Sequence, residues 1–302
     1  MRRRDRFPAT SAVHASRPNG TGWASTAAGR LLLGAVIPAL VLAAWWLGAS
    51  SGSAVVPGFG EVWDVLTHPL REPPDLQSPS LAFSVAITLV RFAVGFVLAV
   101  LTAVPLGIAA ARSPTLQRIL SPMVELARPI NPVVLLPLLT VLLGLSSPAT
   151  LLFGERAAWQ HGVLDQLPLA MLFILWYGAF FPIYLAALHG VRSIRSAYIE
   201  TLQLLGAGWR QELRWLLLPH ALPAIANGMR IALGVTWLVI IAAELFPGTR
   251  SGLGYMLCTA CKTSEYEYTF AAIILIGVIG LLTNAVLARF ERSVGHWQAA
   301  ER

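Results

Sequence analysis

The chain has 302 residues, of which 56% are hydrophobic and only 12% charged, about half the charged share usual for soluble domains. Its 22 Lys+Arg and 15 Asp+Glu are too few to clothe a water-facing exterior at this length, so composition excludes an ordinary soluble domain and assigns the apolar surplus to lipid. The net charge of +7 admits contact with nucleic acid or with a membrane, and the positions of the basic residues decide between them.

Residues 1–30 are polar and rich in Arg, Ser, Thr and Gly without helical periodicity, and read as a disordered cytoplasmic tail. A secretory or twin-arginine signal is the competing reading. Against it, the basic cluster stands more than twenty residues from the apolar run of 31–49, which is longer than the usual 7 to 15 residues of a signal core. A lipid-crossing helix needs about 20 mostly apolar residues. Five charge-free stretches supply candidates at 31–60, 92–111, 129–154, 166–191 and 268–288, and a sixth at 221–246 is interrupted only by Arg230 and Glu244. The expectation is an all-α membrane protein with six transmembrane helices. Residues 31–80 hold the first helix and an outer loop, 81–290 the main transmembrane domain, and 291–302 a second cytoplasmic tail.

An even number of spans puts both termini on one side. That side collects 15 basic residues, among them Arg112, Arg118, Arg192, Arg195, Arg210 and Arg214, whereas the other holds only Arg71, Arg156, Arg250 and Lys262. Positive charge marks the cytoplasmic face, so both termini are expected there, and the basic excess needs no nucleic acid to explain it.

Charges inside spans are costly and call for partners. Arg91 and Glu244 both fall in the outer halves of their spans, at depths that helical rise makes comparable. They read as a structural pair, with Arg91 on the path as an anion attractor the alternative. Glu125 and Arg128 stand three apart and can share a helical face. Arg230 lies well inside the fifth span and can snorkel along its stem or border the path. His189 and His220 read as interfacial, and no set of residues is spaced to hold a metal. Cys258 and Cys261 form CTAC in the outer loop before the last span. A CxxC alone is weak evidence for redox chemistry, metal binding or a disulfide, and reads first as two small residues.

The longest cytoplasmic segment, 191–220, carries Ile199, Leu202, Leu205, Trp209 and Leu213 at roughly helical spacing, while Gly206 and Gly208 flank Ala207 where two short helices would meet at a turn. A short projecting helix with an apolar edge calls for a partner groove. Here Glu200, Gly206, Leu218 and Pro219 match by spacing the EAA signature (E-A-A, three residues, G, nine residues, I-x-L-P), with Thr201, Leu202 and Leu216 as departures. In this the chain resembles the permease subunits of bacterial ABC importers. The stretches LVRFAVGF (89–96), RPINP (128–132), AFFPI (179–183), ALPAIANGMRIALGVTW (221–237), AAEL (242–245) and SGLGY (251–255) are similar to the branch serving nitrate, sulfonate, taurine and bicarbonate uptake.

The resemblance implies a type I importer permease (MetI-like) fold in a bacterial plasma (inner) membrane. It implies a second permease copy, by default in a homodimer, cytoplasmic ATPase subunits, and an extracytoplasmic solute-binding protein. The loop 196–219 would couple to the ATPase through Glu200, Leu205, Gly206, Ala207, Gly208, Trp209, Leu218 and Pro219. The chain would bind no cofactor and catalyse no reaction, with ATP and Mg held by the partner; indeed it contains no GxxxxGK[ST] motif. The 146–165 loop, with Phe153, Trp159 and Leu164, has an amphipathic look and would contact the binding protein, lie on the membrane or be a tolerated insertion. Competing functions are a self-contained secondary transporter, for which no matching halves with broken spans are evident, and a thiol oxidoreductase built on Cys258 and Cys261.

Overall fold

The computed structural model describes residues 27–52, 55–73, 78–143, 146–148, 150, 166–246 and 249–295. The chain divides into two compact units, Met1–Val56 and Pro57–Arg302. The first consists, among the described residues, of one helix, α1 (Ala27–Ser50), which carries Pro38 inside it. Ile37, Leu40, Val41, Trp46 and Leu47 of α1 are exposed, as befits a helix whose surroundings are hydrocarbon.

The second unit is also helical throughout its described regular structure. It comprises α2 (Phe59–Thr67), α3 (Leu81–Arg112), α4 (Pro114–Ala127), α5 (Pro132–Leu143), α6 (Leu169–Arg192), α7 (Ser196–Leu204), α8 (Trp209–Glu212), α9 (Leu218–Glu244), α10 (Leu253–Thr263) and α11 (Tyr266–Gly295). A π-turn over Leu213–Leu217 joins α8 to α9 in one helical run. The core is organised around α6, which packs along α3 on one side and α9 on the other. Water drives no association inside lipid, so close approach of backbones must supply it. Gly107 lets α3 sit against Ala187, and Gly228 brings α9 against Ala186 and the Pro182 carbonyl; an added Cβ would fall 2.7 Å and 2.3 Å from the two alanine methyls. Phe92 meets Trp237 edge-on, with ring centres 5.6 Å apart, in a cluster with Leu136, Met171, Ile174, Leu175 and Ile240.

Several expectations change. Four helices are long and apolar enough to cross a bilayer, namely α3, α6, the α8–α9 run and α11. The α4–α5 pair makes at most a fifth, bent by 97°, and the described part of α1, Ala35–Ser50, is apolar but shorter. By length, therefore, the described residues hold four or five crossings where six were expected. Of the third span expected over 129–154, the described residues form the short helix α5, Pro132–Leu143, which turns sharply from α4 where that stretch begins, and the reason for the bend lies in RPINP. Pro129 and Pro132 cannot donate to a helical ladder, and Asn131 Oδ1 accepts the Val133 N–H at 3.0 Å to start a new helix. The charge-free stretch of 92–111 is the inner part of a longer helix that begins at Leu81, with Arg91 in its outer half as expected. Its polar residues Ser84, Thr88 and Arg91 are buried in the interior and Ser80 caps its start. The cysteines sit on a helix, α10, rather than in a loop, and both thiols are free. Helix α11 runs to Gly295, past the expected tail boundary at 290. Of the expected N-terminal tail, residues 1–26 lie outside the described residues, as does the 146–165 loop except at 146–148 and 150.

Candidate functional site: two ion pairs and an exposed turn

Arg91 and Glu244 meet in the interior. Arg91 Nη1 stands 2.8 Å from Glu244 Oε1, and the two side chains are 1% and 0% exposed. A buried pair survives only if the remaining polar atoms are satisfied, and here the shell is filled. Thr88 Oγ1 donates to both carboxylate oxygens at 2.9 and 3.0 Å, and the Gly254 N–H donates to Oε2 at 3.0 Å. The guanidinium uses all three nitrogens. Nε donates to the Gln166 carbonyl (2.7 Å), Nη1 also to the Ser251 carbonyl (2.8 Å), and Nη2 to Ser251 Oγ (3.0 Å). Ser251 Oγ in turn donates to Gln166 Oε1 at 2.6 Å, and the Leu253 N–H donates to Thr88 Oγ1 at 2.9 Å.

The network binds four segments: α3, the end of α9, the turn into α10, and the entry to α6. The turn requires Gly252, whose φ is +114° and where a Cβ would lie 2.4 Å from the Glu244 carboxyl. Four of the five guanidinium N–H groups donate inside the chain, the environment of a structural pair.

The other charged candidates fall elsewhere. Arg230 crosses from α9 to α11, donating from Nε to Asn284 Oδ1 at 3.3 Å and pairing through Nη1 with Glu291 at 3.2 Å. Arg128 and Glu125 are both exposed, and among the described residues they form no ion pair. Arg128 ends α4 at the bend, so an exposed pair there has little to gain over water.

The segment 196–219 forms a helix, a turn and a helix. Gly206 has φ +74°, a left-handed conformation that closes α7 in a Schellman arrangement. The Ala207 N–H donates to the Leu202 carbonyl and the Gly206 N–H to the Gln203 carbonyl, each at 3.0 Å. Gly208 then opens α8, its N–H donating to Gln211 Oε1 at 2.9 Å. Around this turn the apolar side chains point outward, with Leu204 89%, Leu205 77% and Trp209 69% exposed. Glu200, Leu218 and Pro219 are exposed as well. A Cβ on Gly206 or Gly208 would meet nothing within 4 Å.

The π-turn directly precedes Pro219. There the Leu218 N–H reaches back to the Leu213 carbonyl, one residue further than an α-helix allows, which widens the ladder where proline would strain it.

Sequence reasoning missed a second ion pair at this end. Glu212, the last residue of α8, is buried, and its Oε1 lies 2.9 Å from Arg112 Nη2 at the end of α3. The one available signal was a carboxylate at the apolar spacing of Trp209 and Leu213. Thr88 and Gln166, which complete the Arg91–Glu244 shell, gave no signal of their own; Ser251 was marked only through SGLGY. Beside Arg112 and Glu212, a groove of about 520 Å³ opens between α3 and the α8–α9 run.

These features can be compared with known proteins. Residues 103–296 match the family described as "Binding-protein-dependent transport system inner membrane component". The chain belongs to this family. Among its relatives, a putative ABC transporter permease protein of Methanocaldococcus jannaschii is 32% identical over 89% of this chain and 92% of its own length. The taurine transport system permease protein TauC of Escherichia coli is 31% identical over 86% and 87%. The putative aliphatic sulfonates transport permease protein SsuC of Bacillus subtilis is 30% identical over 88% and 87%. In fold, the chain is similar to a subunit of the MetNI methionine ABC transporter in an inward-facing conformation, with a TM-score of 0.53 at 19% identity over 71% of this chain and 95% of that one. As a family member the chain is an ABC-type transport permease of the membrane, and 196–219 is the segment in which it carries the EAA spacing.

Proposed function

We propose that this permease, paired with a second copy of itself, forms the path by which a small anionic solute enters the cell, driven by a separate ATPase that binds ATP and Mg. A sulfonate such as taurine fits the named relatives, and nitrate or bicarbonate fits the resemblance in sequence equally. An extracytoplasmic binding protein delivers the solute, both termini and the 196–219 segment lie on the cytoplasmic face of a bacterial inner membrane, and the ATPase docks on that segment.

The observation that carries the reading is the Gly206 turn. Large apolar residues stand exposed on either side of a glycine around which space is open, an arrangement that suits insertion into a partner's groove and serves no packing within the chain. Closure of the ATPase would move the turn and the spans attached to it.

The experiment is ATP-dependent uptake of labelled taurine, nitrate and bicarbonate by proteoliposomes containing permease, ATPase and binding protein. Because a Cβ at Gly206 meets nothing within 4 Å, leaving only the left-handed backbone to be strained, Gly206→Trp should leave the protein inserted while reducing co-purified ATPase and uptake at least about tenfold. Normal ATPase recovery with full uptake in that variant overturns the docking assignment. Uptake that needs no ATPase would favour a self-contained transporter instead.

A further inference from the structure

The segment that receives the ATPase is continuous with α9 through the π-turn, so α9 must follow it. Helix α3 has no such covalent link. At this end α3 and the α8–α9 run are separated by an open groove, lined on one side by Val104, Pro105 and Ile108 and on the other by Leu213, Leu217 and Leu218. Below the groove Ile108 of α3 joins Leu217, Ala221 and Ile225 in one apolar cluster with Ala187 of α6, so the helices are packed there. At the groove itself the walls part, and dispersion, which falls away within an ångström of contact, adds little.

Across the groove's rim stands, among the described residues, one polar connection. Arg112 Nη2 contacts Glu212 Oε1 at 2.9 Å and donates to Oε2 at 3.1 Å. The glutamate is 6% exposed, so its charge is removed from water, and an apolar surrounding strengthens its attraction to the guanidinium. Arg112 is also placed to act on two helices at once. The next residue, Ser113, ends α3, and its side chain caps α4 by accepting the Leu116 N–H at 3.3 Å. A pull on Arg112 therefore reaches both α3 and the bent α4–α5 pair.

We propose that Arg112 and Glu212 are positioning residues that make α3 follow the ATPase-coupling segment, so that α3 and α9 move together when the turn is displaced. The proposal rests on the assignment of 196–219 as the docking segment. It goes beyond that assignment by naming the contact through which the movement leaves the segment.

The test is made on the assembled transporter in proteoliposomes, reading ATP hydrolysis and solute uptake together. Glu212→Gln keeps shape and hydrogen bonding but removes the charge. It should retain bound, hydrolysing ATPase while uptake per ATP hydrolysed falls about tenfold, and the exchange Arg112→Glu with Glu212→Arg should restore at least about half. A merely structural pair would lower hydrolysis and uptake in step and leave their ratio unmoved. Unchanged uptake per ATP in Glu212→Gln overturns the proposal, as does an inserted exchange variant with the same uncoupling as the single one. If Glu212→Gln fails to accumulate, the double variant Arg112→Gln with Glu212→Gln, which leaves no lone buried charge, takes its place under the same criteria. The docking assignment fails separately: Gly206→Trp would then leave ATPase recovery intact, whereas failure of this inference alone leaves Gly206→Trp deficient and Glu212→Gln coupled.

Discussion

Helix α3 and the α8–α9 run lie antiparallel and are joined by an arginine–glutamate pair at each end, Arg91 with Glu244 and Arg112 with Glu212. The two arginines are about 30 Å apart by helical rise, and the pairs they form are built differently. Glu244 is gripped by Thr88, the Gly254 N–H and Arg91, and the cations and acceptors around it are themselves bonded. Glu212 has Arg112 beside an open groove, and Arg112 is partly exposed. A saturated interior network fixes one geometry and resists change. A single pair at the edge of a cavity can shift as a unit. One end of the helix pair is thus made to hold, and the other to be moved.

The largest effect expected from breaking this contrast is at Glu244. Glu244→Ala strands the Arg91 guanidinium in the interior and should cost about 3–5 kcal/mol, read as a sharp fall in the amount of folded protein extracted from membranes and in its melting temperature. Exchanging Arg91 and Glu244 should give no rescue, since Thr88 and Gly254 present donors to the carboxylate and Ser251 and Gln166 present carbonyls to the guanidinium. A rescued exchange would mean that the shell matters less than the pair. The Arg112–Glu212 exchange should succeed because neither charge is wrapped in this way.

The two left-handed glycines sharpen the same contrast at intermediate size. Gly252→Ala places a methyl 2.4 Å from the Glu244 carboxyl in a strained backbone conformation, and should cost about 2–4 kcal/mol in thermal unfolding. At Gly206 the space is open, so Gly206→Ala should cost about 1 kcal/mol through backbone conformation alone. That loss should appear as faster hydrogen exchange in α7 and not in the global transition. Equal melting shifts in the two variants would contradict the difference drawn between the ends. The smallest effect belongs to Arg230→Gln, which loses a half-exposed pair with Glu291 and should cost no more than about 1 kcal/mol.

Much of this was legible in the sequence, and the failures have physical causes. Depth along the spans was enough to suggest Arg91 beside Glu244, because a lone charge in lipid needs a partner and few were on offer. The residues that complete the shell could not be read, since Thr88, Ser251 and Gln166 are small neutral groups brought together by packing. The charge-free window of 92–111 marked only the inner part of α3, as a buried arginine breaks such a window without ending the helix, and the rest was recovered by placing Arg91 inside the span. The prolines of RPINP were in view, but the charge-free stretch began at 129, beyond Arg128, so hydropathy left out α4 with its Arg118 and Glu125 and could not show the bend that joins α4 to α5. The turn at Gly206 was legible because its cause is local: a glycine between two helical patterns needs no distant residue to explain it. Arg112 and Glu212, a hundred positions apart, had no local cause to betray them.

The π-turn before Pro219 has a consequence for the phase of the helix it interrupts. Along α9 the inward face runs through Leu217, Ala221 and Ile225, all buried, at steps of four. Continued backward at that step, the pattern would turn Leu213 inward. The wide turn holds one residue more than an α-helical turn, and an α-helix advances about 100° per residue, so Glu212, five positions before Leu217, is carried onto the inward face beside Leu213. The carboxylate reaches α3 because the helix is out of step there. A helical wheel drawn straight through 209–244 would keep Leu213 on that face, turn Glu212 away, and find no charge to pair with Arg112.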